Sequence, residues 1–311
     1  MIALAGPTGS GKSSLALWLA KQFRAEIVSC DSLQIYRHFD IGTAKLSEAE
    51  RQEVPHHLLD ILDPDETFSA GEYACIGREI LSQVAGRGNV PIVVGGTGFY
   101  LRALLDGLFP GPQRDELLRA RLAQREERRK GSLHRLLRRV DPVAAARIHA
   151  NDTKKLIRAL EVCLLARRPL SELHAKGSAG LEGFSPLLIG LDPLREELYQ
   201  VLNNRCAQMF ESGLLEEVTH LLAMGYSREC KPFESLGYKQ ALLVLSGIYT
   251  KEEAREETQI ETRRYAKRQW TWFKKDTRVS WIPGFGHWPE TQRNTLKTLL
   301  LQDSSLSKYF L

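Results

Sequence analysis

Short apolar runs alternate with amphipathic stretches along much of the chain. Ile2–Ala5, Glu26–Asp31, Val90–Val94 and Pro186–Leu191 are compact, largely apolar blocks bounded by Gly, Asp or Pro. Blocks of that length without strict alternation predict strands covered on both faces, as in a parallel sheet. Pro55–Asp60 adds a further strand entry. Ser14–Lys21 and Phe68–Ala85 have the content of intervening helices. From Gly107 to Pro112 glycine and proline break the pattern, and the chain then turns helical. Leu133, Leu136, Leu137 and Val140 recur at i, i+3, i+4, i+7. Asn151 or Asp152 caps a helix running to about Ala166, with Leu156, Leu160, Cys163 and Leu164 on one side. Lys176–Ser185 is a Gly/Ser-rich return linker. Glu196–Phe210 and Leu214–Met224 are amphipathic helices, Glu234–Gln240 opens another, and Lys251–Lys274 is one long helix. The fold class that follows is α/β: a parallel sheet flanked by helices, formed by residues 1–112 and 186–311, with an all-helical insertion domain at 113–185.

Composition narrows the class. With 43% apolar residues in 311, a sizeable core is possible. Five scattered cysteines, with no C-x-x-C pair, argue against a zinc finger or a disulfide framework and fit a reducing compartment. The apolar runs are too short to span a bilayer. A phosphate-loop motif begins at residue 6, which leaves no room for a leader before it, so a cytoplasmic protein with no membrane association is expected. The net charge of +5 is unevenly placed. Residues 113–139 hold ten Arg/Lys against four Asp/Glu, and residues 262–278 hold seven against Asp276 alone. Two basic islands in an otherwise acidic chain point to a polyanion larger than one phosphate group, although either alone would pass for a solvated helix face.

The chemistry concentrates at four places. Gly6-Pro7-Thr8-Gly9-Ser10-Gly11-Lys12-Ser13 fits G-x-x-x-x-G-K-[ST] between a strand and a helix. Its glycines let backbone N–H groups turn toward phosphate oxygens, Lys12 supplies a point charge, and Ser13 offers a hydroxyl to Mg²⁺. Asp31-Ser32-Leu33-Gln34-Ile35-Tyr36 follows the second strand, at the sheet edge where ligands of such folds bind. There Asp31 is a general base, a Mg²⁺ ligand, or simply a helix cap, as Ser32 also could be. After the fourth block, Gly95-Gly96-Thr97-Gly98 stands where an NTPase would carry a metal-binding acid, which disfavours ATP hydrolysis and puts the Thr97 hydroxyl near the phosphate. His56 and His57 are adjacent and on a strand would point to opposite faces, so they do not suggest a shared metal. Finally, Thr262–Lys274 interleaves Arg and Lys with Tyr265, Trp270, Trp272 and Phe273, a combination that supplies phosphate contacts and flat surfaces for bases.

Taken in order, these motifs resemble one family, the tRNA dimethylallyltransferases (tRNA isopentenyltransferases) of bacterial type. The stretches that carry the likeness are GPTGSGKS (6–13), DSLQIY (31–36), DIGTAK (40–45), HHLLDI (56–61), GGTGFYLRAL (95–104), the DP at 141–142 followed by Ala144, the ND at 151–152 with RALEV at 158–162, the R-x-x-x-M-x-x-x-G-L pattern from Arg205 to Leu214, LGYKQ (236–240) and TRRYAKRQWTWF (262–273). They run almost end to end. Each is weak alone and their joint order is specific. The resemblance implies a P-loop-kinase-like core with a channel and a mobile helical insertion. It implies transfer of a dimethylallyl group from dimethylallyl diphosphate to N6 of adenosine 37, in tRNAs reading codons that start with U, with Mg²⁺ as cofactor and the chain acting as a monomer. By the same resemblance, Lys12, Ser13 and the loop amides hold the diphosphate, Asp31 accepts the amine proton, Thr97 lies near the bridging oxygen, and Arg205 adds positive charge. The implied tRNA contacts begin with Asp31, Ser32, Leu33, Gln34 and Thr97. They continue at Arg119 and at Lys154, Lys155, Leu156, Ile157 and Arg158 in the insertion. Gly237, Tyr238 and Lys239 follow. The last set is Lys267, Arg268, Gln269, Trp270, Thr271, Trp272, Phe273 and Lys274. Lys155 stands where the family usually has arginine, and Glu234 where it often has a basic residue. No Cys/His finger is seen at the C-terminal end, as in bacterial forms.

Three rivals differ in what they leave unexplained. A small-molecule P-loop kinase has no use for the basic aromatic helix. A prenyltransferase acting on free adenine nucleotides leaves the basic island of the insertion idle. A non-catalytic RNA-binding protein leaves Lys12, Asp31 and Thr97 without purpose.

Overall fold

The computed structural model describes residues 1–109, 111–175 and 177–310. Pro110 in the expected sheet exit, Lys176 in the expected return linker, and Leu311 lie outside the described residues. Among the described residues six strands form one sheet: β1 (Ile2–Ala5), β2 (Ala25–Ser29), β3 (His56–His57), β4 (Val90–Val94), β5 (Leu187–Asp192) and β6 (Val279–Pro283). Their order is β3-β2-β4-β1-β5-β6 and every pairing is parallel. The expected α/β class with a parallel sheet is the class observed. β6 went unforeseen, because Val-Ser-Trp-Ile-Pro is a short edge strand ending in proline and carries little apolar signal.

The sheet is covered on both faces. Ile2 and Leu4 of β1 line up with Ile92 and Val94 of β4 and with Leu187 and Ile189 of β5, so apolar side chains stack across the strands. That face packs against Leu15 and Leu19 of α1 (Lys12–Ala20). After α2 (Glu48–Glu53), the Tyr73, Leu81 and Val84 side chains of α3 (Ala70–Gly86) are buried, and the Tyr73 hydroxyl donates to the Ser29 carbonyl. Both α2 and α3 begin with a capping box, Ser47 with Glu50 and Ser69 with Glu72. α4 (Gly98–Asp106) follows the glycine turn after β4.

By its own contacts the chain divides into two compact units, Met1–Leu105 with Glu182–Leu311, and Asp106–Leu181. The second unit is wholly helical in its regular structure: α5 (Glu116–Arg128), α6 (Ser132–Val140), α7 (Pro142–Arg147), α8 (Thr153–Ala166) and α9 (Leu170–Ala175). Leu122, Leu133, Leu137, Leu156 and Leu160 form its core. Asp152 caps α8 by accepting the Lys155 N–H. Glu161 is fully buried and accepts from Arg119 at 3.2 Å, from Arg158 at 2.6 Å and from the Asp115 N–H at 2.8 Å. A buried carboxylate with three donors is satisfied and fixes both arginines.

The first unit continues with α10 (Arg195–Glu211), α11 (Leu214–Ala223), α12 (Tyr238–Leu245), α13 (Lys251–Phe273) and α14 (Pro289–Gln302). The helix expected to open at Glu234 starts later. Lys231–Glu234 is a 3₁₀ turn around Pro232, and Gly237, at φ 88°, begins α12. Among the described residues, no helix is long and apolar enough to cross a membrane.

Candidate active site

The strand order sets the carboxyl ends of β2, β4 and β1 side by side, and the loops that follow them share one cavity of about 610 Å³. From the first loop it is lined by Thr8, Lys12 and Ser13, from the second by Asp31 and Ser32, from the third by Gly95 and Gly96. Arg205 of α10 and Tyr265, Arg268 and Gln269 of α13 complete the wall.

The first loop has the shape its glycines permit. Gly9 and Gly11 sit at φ 78° and 84°, and a Cβ on Gly11 would lie 2.8 Å from the Gly286 amide nitrogen. The N-terminus of α1 has no side-chain cap and no acid in its first turn, which leaves its positive end open to an anion. Lys12 is 9% exposed, and its Nζ donates to the Pro7 carbonyl at 2.7 Å. Burial pushes the Lys12 ammonium down to about 8. Asp31 opposes that shift and Arg205 adds to it. These three charges therefore feel one another within the cavity. Enclosure lowers the Arg205 guanidinium as well.

Asp31 divides its two oxygens. Oδ1 accepts the Leu33 N–H at 2.9 Å and the Gln34 N–H at 3.4 Å, so it caps its own turn. Oδ2 has no hydrogen-bond partner among the described residues. The capping role and a chemical role are thus compatible in one side chain. Thr97 Oγ1 accepts the Ser32 N–H at 3.1 Å, and the Gln34 amide donates to the Thr43 carbonyl. The donor set suits Mg²⁺ only in part. No group of three or more His, Cys, Asp or Glu comes together among the described residues. An ion here would take the Ser13 hydroxyl together with diphosphate oxygens and water. Of the adjacent histidines, His57 Nε2 meets Glu26 at 2.7 Å and His56 Nδ1 meets the Val54 carbonyl at 2.7 Å.

The residues implied for RNA fall into different environments. Ser32, Leu33 and Gln34 are half-buried beside the cavity. On α13, Lys267, Arg268, Thr271 and Trp272 are exposed, Trp270 is half-buried, and Gln269 and Phe273 are buried; Lys274, which caps the helix, is exposed. Lys274 pairs with Asp192 at 2.8 Å and lies 4.7 Å from the Trp281 ring centre. Lys239 is exposed. Gly237 is buried, and so is Tyr238, whose hydroxyl donates to Glu217 and accepts the Gly42 N–H at 3.1 Å. In the second unit Lys154 and Lys155 are exposed and Leu156 and Ile157 are core residues. Sequence reasoning missed two features. Exposed Phe99 and Trp272 flank Arg102, whose guanidinium lies 5.4 Å from each ring, a flat cationic platform with no motif to announce it. Glu217 also accepts the Asp40 and Ile41 N–H groups, so it pins the loop that brings Gly42 and Thr43 to the cavity.

Known proteins resemble this chain over nearly its whole length. A family model described as IPP transferase matches residues 34–276, and one described as isopentenyl transferase matches residues 1–66. A tRNA dimethylallyltransferase of Solibacter usitatus is 58% identical, the match covering 95% of this chain and 96% of that protein. One of Geobacter sulfurreducens is 44% identical over 91% of each chain. Among solved structures, the full-length tRNA isopentenylpyrophosphate transferase of Bacillus halodurans matches with a TM-score of 0.71 and 35% identity, covering 99% of this chain and 97% of that one. A eukaryotic dimethylallyltransferase acting on tRNA matches with a TM-score of 0.83 and 26% identity, covering 99% and 79%.

Proposed function

The chain belongs to the tRNA dimethylallyltransferase (IPP transferase) family, and from that premise we propose that it transfers a dimethylallyl group from dimethylallyl diphosphate to N6 of adenosine 37, in tRNAs reading codons that start with U. The observation that carries this reading is the shared cavity. It joins a phosphate loop, the cations Lys12 and Arg205, and a carboxylate oxygen with no hydrogen-bond partner among the described residues.

The steps follow from charge. An allylic C–O bond breaks with its electron pair going to the departing diphosphate, so neutralising that oxygen lowers the barrier. Lys12, Arg205, the loop amides and the open end of α1 supply that charge. Mg²⁺, when held by Ser13 with the phosphate oxygens, adds more. N6 of adenine forms the new bond to the allylic carbon and loses a proton to Asp31 Oδ2. The base has to leave its stack to reach an enclosed cavity, so it is flipped. The exposed cations of α13 and of the second unit, Lys267 and Lys154 among them, take the anticodon stem-loop backbone, and Arg119, half-buried against Glu161, adds a positioned charge. The enzyme acts as a cytoplasmic monomer.

The test is to incubate the protein with Mg²⁺, dimethylallyl diphosphate and either bulk tRNA or AMP, then to analyse the nucleosides by mass spectrometry. A prenyl mass gain on adenosine from tRNA alone is expected. Modification of AMP with none in tRNA would overturn the reading.

A further inference from the structure

One side-chain amide joins two loops of the cavity. Gln269 Oε1 accepts the Thr8 N–H at 2.8 Å, and its Nε2 donates to the Gly96 carbonyl at 2.9 Å. A backbone N–H only donates and a carbonyl only accepts, so a single orientation of the amide serves both. The side chain is 6% exposed, which strengthens both bonds. The approach to Gly96 is close, since a Cβ there would come within 2.3 Å of Nε2. The linkage continues past Gly96. Thr97 Oγ1 takes the Ser32 N–H, and Ser32 follows Asp31 directly. The phosphate loop, the Gly95–Thr97 turn and the Asp31 turn are therefore tied together through one glutamine of α13. Its neighbours Lys267, Arg268, Thr271 and Trp272 are exposed, whereas Gln269 faces inward.

Resting on the proposed alkyl transfer, we propose that Gln269 is a positioning residue for the chemical step: it sets the spacing between the diphosphate site and Asp31 and contributes nothing to tRNA affinity. The physical reason is the steepness of reaction geometry. Misplacement of reacting groups by about 1 Å can cost on the order of 10²-fold in rate. Thr8 and Gly96 lie on loops of different strands, and among the described residues the side chain of Gln269 is what bonds one to the other. Without it each loop relaxes by itself.

The test separates kcat from KM. Gln269→Met keeps the length of the side chain and removes both bonds. A fall in kcat of roughly ten- to a hundredfold is expected, with the KM for tRNA and the salt dependence of tRNA binding unchanged. Gly96→Ala reaches the same linkage from its other end. Its new Cβ displaces the amide without altering α13, and the same split is expected. If Gln269→Met does not fold, Gly96→Ala decides alone. A kcat within twofold of the parent in the folded variant would overturn the proposal. So would a rise in the tRNA KM matching that of the Lys267→Ala, Arg268→Ala double variant, which would make Gln269 an RNA contact. A parent protein that modifies no tRNA would instead overturn the functional reading itself.

Discussion

The Thr97 hydroxyl accepts the Ser32 N–H at 3.1 Å and donates to Ser32 Oγ at 3.3 Å, across 65 residues of sequence. The group that the family resemblance puts beside the bridging oxygen is thus also the one that holds the turn after Asp31. Thr97→Val keeps the shape and removes both bonds. A loss of about 1 kcal/mol of positioning energy gives roughly a five- to tenfold drop in single-turnover rate. Thr97→Ser should retain most of the rate. A loss in Thr97→Ser with none in Thr97→Val would mean that the methyl group, not the hydroxyl, matters.

Lys12 gives a pH dependence with a definite sign. Its ammonium is cationic below about 8, the value to which burial pushes it. The ratio kcat/KM for the prenyl diphosphate reports the free enzyme. It should fall as pH rises through about 8. At saturating diphosphate the bound anion favours the ammonium, so kcat should stay flat over that range. Lys12→Ala should abolish the kcat/KM inflection and cost on the order of 3 kcal/mol in the transition state. A parental profile flat to pH 9, with kcat/KM unchanged in Lys12→Ala, would remove Lys12 from diphosphate binding.

The exposed face of α13 is expected to act through charge. Replacing Lys267 and Arg268 by alanine removes two cations from a surface that also presents Trp272. The affinity for an anticodon stem-loop should drop, and the slope of log affinity against log salt should flatten by about one to two units. Affinity for inorganic diphosphate should hold in Lys267→Ala alone, since Lys267, unlike Arg268, does not line the cavity. An unaltered slope would move the RNA surface elsewhere.

Away from the cavity, Glu26 carries a stability prediction. Two hydrogen bonds from Arg87, at 2.9 and 2.6 Å, hold its carboxyl down at about 2 against the effect of burial, with help from Asn89 and His57. A depressed value means that the added stability is present above the ordinary carboxylate range, near 4.5, and is lost as pH falls toward 2. Compared with Glu26→Gln, the parent should be more stable by on the order of 3 kcal/mol at pH 7. By pH 3 more than half of that difference should be gone. Urea unfolding at the two pH values measures it, and a difference independent of pH would show that the carboxylate's charge is not what stabilises the edge of the sheet.

How much of this was legible in the chain depended on how local the signal was. The phosphate loop, β4 with its glycine turn, and the long α13 were legible because motif, apolar run and helix period each lie in a few adjacent residues. That Asp31 would cap a turn with one oxygen and leave the other without a partner among the described residues was half legible, since Asp-Ser signals a cap. The bonds of Gln269 to Thr8 and Gly96 were not. A buried glutamine in a basic, aromatic helix has the spacing of its exposed neighbours, and only the packed helix shows which way it faces. Tyr238 was obscured in the same way, since LGYKQ carries no sign that its hydroxyl lies against Glu217 and Gly42. β6 was missed because five edge residues ending in proline give neither length nor alternation.

Asp31 offers the sharpest test of the mechanism. The exocyclic amine of adenine is a poor nucleophile, because its lone pair is delocalised into the ring. It loses a proton as the new C–N bond forms, so a carboxylate aimed at it lowers the barrier, typically by 10²- to 10⁴-fold. In this protein Oδ1 is engaged by the Leu33 and Gln34 N–H groups, so Oδ2 is the oxygen left for the proton. Asp31→Asn can present its carbonyl to those N–H groups and keep the turn, but its NH₂ cannot accept a proton. The expected result is a fall in kcat of roughly 10²-fold or more, with little change in affinity for either substrate. If Asp31 serves chiefly to hold Mg²⁺, the outcome differs: diphosphate binding weakens and high Mg²⁺ partly restores it. Single-turnover rates and diphosphate affinity measured across a Mg²⁺ series distinguish the two. A rate loss that disappears at high Mg²⁺ would make Asp31 a metal ligand and leave the amine proton to another acceptor.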